Sequence, residues 1–210
     1  MFHSGSAKTD RLLEELRTMR KNNPASKVKE RWRFFSHRRL ALQCIIFSQW
    51  TMMLDLVEIP LKKEYVPLSL LVSCSILRSR NFKFLRLDGA LSQPQREKVL
   101  DTFAKDGSVT IMLISLKAGG VGLNLVTANF VFFLDAWWNP AVEDQAIQRV
   151  HRIGQTKTVF VKRFIVDQTV EERILALQQR KKFLAGASLG MTQDEAKAVR
   201  LEDLKSLFMR

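Results

Sequence analysis

Apolar runs of strand length alternate along this chain with segments of helical period, which predicts a parallel sheet with crossover helices. Strands are expected at 44–47, 84–87, 109–115, 130–134 and 159–165, each an apolar run bounded by polar or turn residues. Helix starts carry marks of their own. Ser92 with Gln95, Thr169 with Glu172 and Thr192 with Glu195 each place a capping hydroxyl three positions ahead of Gln or Glu. Pro140 stands where a first helical turn would begin. The fold class is α/β, and 210 residues with 46% hydrophobic content suffice for one such domain with its own core.

The polar residues fall in a telling place relative to those strands. Ser48 and Gln49 follow the first, Asp88 and Gly89 the second, Lys117 to Gly122 the third, and Asp135 the fourth. Ligands of open α/β sheets bind outside the carboxyl ends of the strands, so one edge carries nearly all the candidate chemistry. The helix that carries QAIQRVHRIGQ at 145–155 is expected to begin on the same edge, after Asp135. Helical spacing puts Gln145, Arg149 and Arg152 on one stripe, with two guanidinium forks pointing the same way. Arginine charge is permanent and its planar donors match phosphate oxygens in pairs, which suits a triphosphate site touched from a second domain. The competing reading is a solvated amphipathic helix in which Arg149 and Arg152 pair with Glu143 and Asp144.

Other candidates are open to two readings each. The segment KAGGVGLN at 117–124 either cradles a phosphate with backbone N–H groups or makes a tight strand-to-helix turn. Trp137 and Trp138 either stack on a base or pack in the core or an interface. His151, between the two arginines, is expected to play a hydrogen-bonded structural role, since a lone histidine needs a partner to act in catalysis.

Charge narrows the partners. The formal net charge of +13 favours a polyanion, nucleic acid before membrane. The longest apolar stretch, 65–77, is shorter than a bilayer span and contains Pro67, so a soluble protein with no membrane partner is expected. Cys44 and Cys74 lack metal-ligand spacing, and no secretory signal precedes them; an intracellular, reducing setting with no metal site follows.

Together FSQW at 47–50, RLDG at 86–89, SLKAGGVGLNL at 115–125, FLDAWWNPAVEDQAIQRVHRIGQ at 133–155 and TVEERI at 169–174 closely resemble the second motor lobe of Swi/Snf-type DNA translocases of helicase superfamily two. The WWNPAVEDQA wording and DLKSLF at 203–208 look most like the Rad-five/Rad-sixteen branch, which includes the helicase-like transcription factor. The resemblance implies a RecA-like lobe with a C-terminal helical extension and a nuclear protein of chromatin remodelling or DNA repair. It implies that Arg149 and Arg152 contact nucleotide phosphates as catalytic arginines, that Gly120, Gly122 and Gln145 border the nucleotide, and that Ser48, Gln49, Arg86 and Lys117 line the groove tracking duplex DNA. Asp88 and Gly89 are expected to shape their turn. Gln155 fits the DNA-translocase wording, since RNA helicases of the DEAD-box kind continue with Arg-Thr-Gly-Arg where this chain reads Gly154, Gln155, Thr156, Lys157.

No G-x-x-x-x-G-K-[ST] loop occurs, and no DEAH-like acidic pair follows a strand. ATP with Mg²⁺ is therefore expected to be held mainly by a first RecA-like lobe, and this chain alone is expected to show no appreciable ATPase activity. The RING finger often found between the lobes in this branch is absent, so ubiquitin-ligase activity is not supported. The organisation expected is an N-terminal helix and basic segment at 1–39, the RecA-like domain at 40–168 and the helical extension at 169–210. Two stretches depart from the family spacing, 28–43 and about 64–80. Both read as insertions, although the first, with six Lys or Arg against one Glu over 27–39 and three interleaved aromatics, also fits a basic DNA-binding arm. A non-catalytic DNA-binding fragment and a non-functional truncated product are the alternatives to half of a motor.

Overall fold

The five apolar runs pair into one sheet in the spatial order 84–87, 111–115, 44–48, 130–133 and 160–163, with every neighbouring pair parallel. The computed structural model describes residues 6–21, 42–63, 82–118 and 122–187. Its elements are α1 (Ala7–Lys21), β1 (Cys44–Ser48), α2 (Thr51–Lys63), β2 (Phe84–Leu87), α3 (Gln93–Lys105), β3 (Ile111–Ser115), β4 (Phe130–Phe133), α4 (Pro140–Val150), β5 (Phe160–Arg163) and α5 (Val170–Ala187). Central strands β1 and β3 are buried along their whole length, as expected where helices cover both faces.

Alternate strand residues feed two cores. On one face Ile45, Phe47, Met112, Ile114, Val131 and Phe133 pack with Phe103 of α3 and with Ala146 and Val150 of α4. On the other, Cys44, Ile46, Ile111, Leu113 and Phe132 pack with Leu12 and Leu16 of α1 and with Leu54, Val57 and Leu61 of α2. Helix α1 thus belongs to the same body as the sheet. Cross-strand aromatic stacking ties the β1–β4–β5 side together, with ring centres 5.4 Å apart for Phe47 and Phe133 and 5.1 Å for Phe130 and Phe160.

Helices α2 and α4 follow the adjacent strands β1 and β4 yet cover opposite faces, so the chain diverges at the carboxyl ends of this pair. Such a divergence opens a crevice where ligands of α/β proteins bind. Local chemistry sets the helix starts. The Ser92 N–H donates to Gln95 Oε1 at 2.9 Å, and Asn139 Oδ1 accepts from the Ala141 N–H at 3.1 Å with Pro140 next in line. At α5 the pairing differs from the expected box. Thr169 Oγ accepts from the Glu171 N–H, whereas Glu172 reaches past it to the N–H of Gln168, which has a left-handed φ of +59°, at 3.1 Å.

The expected helix start at Thr192 lies outside the described residues, as do nearly all of 28–43 and 64–80. Of the first stretch, residues 42 and 43 are described. Gln43 is buried, and its amide donates to the carbonyls of Phe103 and Val109 at 2.8 and 2.9 Å, while Leu42 packs on the α1–α2 core. These two residues lead into β1 as part of the fold.

Candidate nucleotide and nucleic-acid site

A clasp fills the base of the crevice between β1 and β4. Ser48 ends β1, and its hydroxyl donates to Asp135 Oδ2 while accepting from the Trp50 N–H at 3.0 Å; Asp135 Oδ1 takes the Gln49 N–H at 2.9 Å. Burial holds the Asp135 carboxyl above its ordinary pKa, against the lowering effect of the Ser48 and Gln49 donors. Ser48 is 0% exposed, its hydroxyl engaged within the fold. Gln49 is half-buried with its backbone fixed by Asp135, leaving its side chain at the rim.

Helix α4 leaves the same edge and ends sooner than its periodicity predicts. The Leu125 N–H takes the Arg149 carbonyl at 3.1 Å, and the Gln155 amide takes the Val150 carbonyl at 3.3 Å, so the acceptors for a further turn are already occupied. Gly154 completes the exit with φ +102°, a conformation favouring glycine. Gln145 and Arg149 share a stripe as expected, but Arg152 sits beyond the helix in a turn closed by the Gln155 N–H on the Arg152 carbonyl at 2.9 Å. The expectation of three residues on one helical stripe is corrected accordingly. Gln145 is exposed, Arg149 half-buried and Arg152 exposed. Gln155 pins the turn from both sides, donating to the Ala128 carbonyl at 2.7 Å and accepting the Lys157 N–H at 2.9 Å. His151 caps the helix, its N–H donating to the Ile147 carbonyl at 2.8 Å, with its ring exposed.

Glu143 and Asp144, the carboxylates nearest the arginines in sequence, have other partners. Asp144 accepts from Lys182 of α5 at 2.8 Å. Glu143 is buried in the first turn of α4 and accepts from the Trp137 N–H, Arg163 Nε of β5 and Gln178 Nε2 of α5. The solvated-helix reading treats Glu143 as a surface charge, which its burial excludes. One signal was available: a carboxylate three residues after Pro140 suits a helix N-terminus. Of the tryptophans, Trp137 packs on the core, while Trp138 is 52% exposed with the Lys181 ammonium 4.9 Å from its ring centre.

On the far side of the crevice, Arg86 of β2 is bound by three carboxylates. Its Nε meets Asp88 at 2.8 Å, and one terminal nitrogen meets both Glu58, at 2.8 Å, and Asp55. Partial burial works against its charge, but the three hydrogen-bonded acids raise its pKa above the ordinary arginine value. Arg86 therefore braces α2 against β2, its charge matched inside the protein. Asp88 also accepts from the Ala90 N–H at 3.0 Å and shapes its turn as expected. Lys117 is exposed at the end of β3. Gly122 has φ +49° and open space around a Cβ, which fits a turn requirement; Gly120 lies outside the described residues.

The site stands beside three comparisons. The helicase conserved C-terminal domain matches residues 27–154. DNA repair protein RAD5A of Arabidopsis thaliana is 47% identical over 203 residues, covering 97% of this chain and 16% of that protein. DNA repair protein rad8 of Schizosaccharomyces pombe is 44% identical over 176 residues, covering 84% of this chain and 14% of that protein. Among solved structures, the C-terminal part of the Fun30 ATPase domain matches with a TM-score of 0.65 and 29% identity, covering 97% of this chain and 54% of that one. The chain spans less than a fifth of the length of these curated relatives. With its five-stranded parallel sheet and its motif-bearing edge, the chain belongs to the helicase C-terminal domain family, in the Swi/Snf-type group of Rad5 and Rad8, and its fold is that family's RecA-like α/β lobe.

Proposed function

We propose that this chain is the second motor lobe of a Swi/Snf-type DNA-dependent ATPase that moves along duplex DNA in nuclear DNA repair or chromatin remodelling. The observation that supports the reading is the turn after α4, held by Gln155 on the Ala128 and Val150 carbonyls, which leaves Arg152 exposed just beyond the helix that carries Gln145 and Arg149. Chemically this is half of a site. Guanidinium groups stabilise the charge that develops on a transferring phosphoryl group, but they neither grip a triphosphate alone nor position the attacking water.

A first RecA-like lobe grips ATP and Mg²⁺, and the metal supplies further neutralisation of phosphate charge when bound. Closure of the two lobes brings Arg149 and Arg152 to the outer phosphate, Gln145 orients beside them, and Gly120 and Gly122 border the nucleotide. Opening after hydrolysis shifts the second lobe along the DNA backbone, with Lys117 and Gln49 as the rim groups that meet phosphates. The lobe by itself turns over no ATP. Arg86 braces α2 through Asp55, Glu58 and Asp88, and its partly exposed guanidinium lies within reach of a backbone phosphate.

The test is DNA-stimulated ATP hydrolysis by this chain mixed with the first motor lobe of a relative such as RAD5A. Turnover is expected from the mixture and from neither part alone, and Arg152→Ala is expected to lower it by about 10³-fold, the scale of an arginine finger. Turnover by the purified chain alone, or a mixture indifferent to Arg152, would refute the reading. Salt-sensitive DNA binding with no nucleotide effect would mark a passive DNA-binding fragment instead.

A further inference from the structure

Four parts of the lobe converge on one buried side chain. Glu143 is 1% exposed, in the first turn of α4. Its Oε1 accepts from the Trp137 N–H at 3.0 Å and from Gln178 Nε2 at 2.8 Å, and its Oε2 accepts from Arg163 Nε at 2.7 Å. The Gln178 amide also donates to the Trp137 carbonyl. The loop after β4, the end of β5 and the middle of α5 are thereby tied to the start of α4. Gln178 is itself 5% exposed, so water does not substitute easily for its amide.

The opposite end of α4 carries Arg149 and leads into the Arg152 turn. A helix of 11 residues is short and stiff; at 1.5 Å per residue it is about 16 Å long, so a tilt of about 10° at its start carries its far end about 3 Å. Paired guanidinium contacts to phosphate do not survive displacements of that size, and misplacement of about 1 Å can cost roughly 10²-fold in rate. Core contacts of Ala146 and Val150 fix the depth of the helix against the sheet. The Glu143 network fixes its direction.

We infer that Glu143 is a positioning residue for the phosphate-facing end of α4, and that Gln178 makes α5 a working part of the motor lobe, the strut that aims the arginines. The inference rests on the second-lobe reading. Glu143 and Gln178 touch no substrate; they act through the helix they hold.

Gln178→Leu tests this, since leucine keeps most of the side-chain volume and removes the amide. Two measurements are made: hydrogen exchange on the chain, and ATPase kinetics with a first motor lobe supplied. Exchange over 137–150 is expected to rise about tenfold while β1 and β3 stay protected. The kcat is expected to fall at least tenfold with KM for ATP within about twofold, because ATP is gripped mainly by the other lobe. Leu16→Ala, in the core on the opposite face of the sheet, serves as a destabilised control and is expected to leave kcat unchanged. If Leu16→Ala lowers kcat as much as Gln178→Leu, the effect is general loosening and the inference fails. If Gln178→Leu leaves kcat or α4 exchange unchanged while Arg152→Ala abolishes turnover, the inference fails and the second-lobe reading stands. If the wild-type mixture does not turn over, both fall.

Discussion

Two charge clusters brace this lobe, and they are built in opposite ways. At Arg86 one cation is bound by three carboxylates on an edge strand and its neighbouring helix, and Asp55 among them is 58% exposed. At Glu143 one carboxylate is surrounded by a guanidinium and two neutral donors, and water is excluded. The first has redundant acceptors in partial contact with solvent; the second has one buried carboxylate that receives all three of its donors. Redundancy and exposure make a cluster tolerant, whereas burial around a single centre makes it brittle.

Substitution gives the largest contrast. Glu143→Ala is expected to cost about 3–5 kcal/mol, because it strands buried donors and breaks an ion pair at its buried end. Arg86→Ala is expected to cost only about 1–2 kcal/mol, discounted for the solvent that screens its partners. Equilibrium unfolding in urea checks both, and equal losses would erase the distinction. Salt comes next: in about 1 M salt, where screening acts over roughly 3 Å, the Arg86→Ala loss should shrink while the Glu143→Ala loss persists.

Acid sharpens the comparison further. Partial burial pulls the Glu58 carboxyl upward, but the hydrogen bonds from Arg86 and Lys62 outweigh it and leave its pKa below its ordinary value of 4.5. A lowered folded pKa contributes stability that is present above 4.5 and lost as pH falls through the folded value. Unfolding free energy should therefore drop below pH 4.5 in the wild type, and less steeply in Arg86→Ala. Asp135 runs the other way. Its raised folded pKa gives stability that is full below 3.8 and lost as pH rises through the folded value, so Asp135→Asn should flatten that opposing slope. The smallest effect is expected at Arg152→Ala. Its side chain is exposed, so stability should change by no more than about 0.5 kcal/mol even where turnover with a first lobe collapses.

Sheet and helix order were legible in the chain because apolar runs and polar turns alternate cleanly. Strand 84–87 reads off directly, while 109–115 and 159–165 overrun β3 and β5 because the apolar pattern continues where regular pairing stops. Placement was legible where a residue depends on its neighbours, as with Gln145 and Arg149 on one stripe of α4 and Pro140 in its first turn. It was not legible where a distant partner decides the outcome. Ser48 is buried by a bond to a residue 87 positions away, and Glu143 owes its role to donors 20 and 35 positions on. Arg152 was placed on a helical stripe because periodicity cannot register that Leu125 and Gln155 capture the carbonyls the helix would need.

The hold that Gln155 keeps on its turn has a consequence for which residue that position can carry. Its amide nitrogen serves the Ala128 and Val150 carbonyls while its oxygen receives the Lys157 N–H, so the position demands hydrogens and a lone pair together. A guanidinium brings only hydrogens. Arginine at 155 would leave the Lys157 amide without its acceptor and swing the path by which the chain re-enters the sheet at β5, changing the tether on which the neighbouring arginine is displayed.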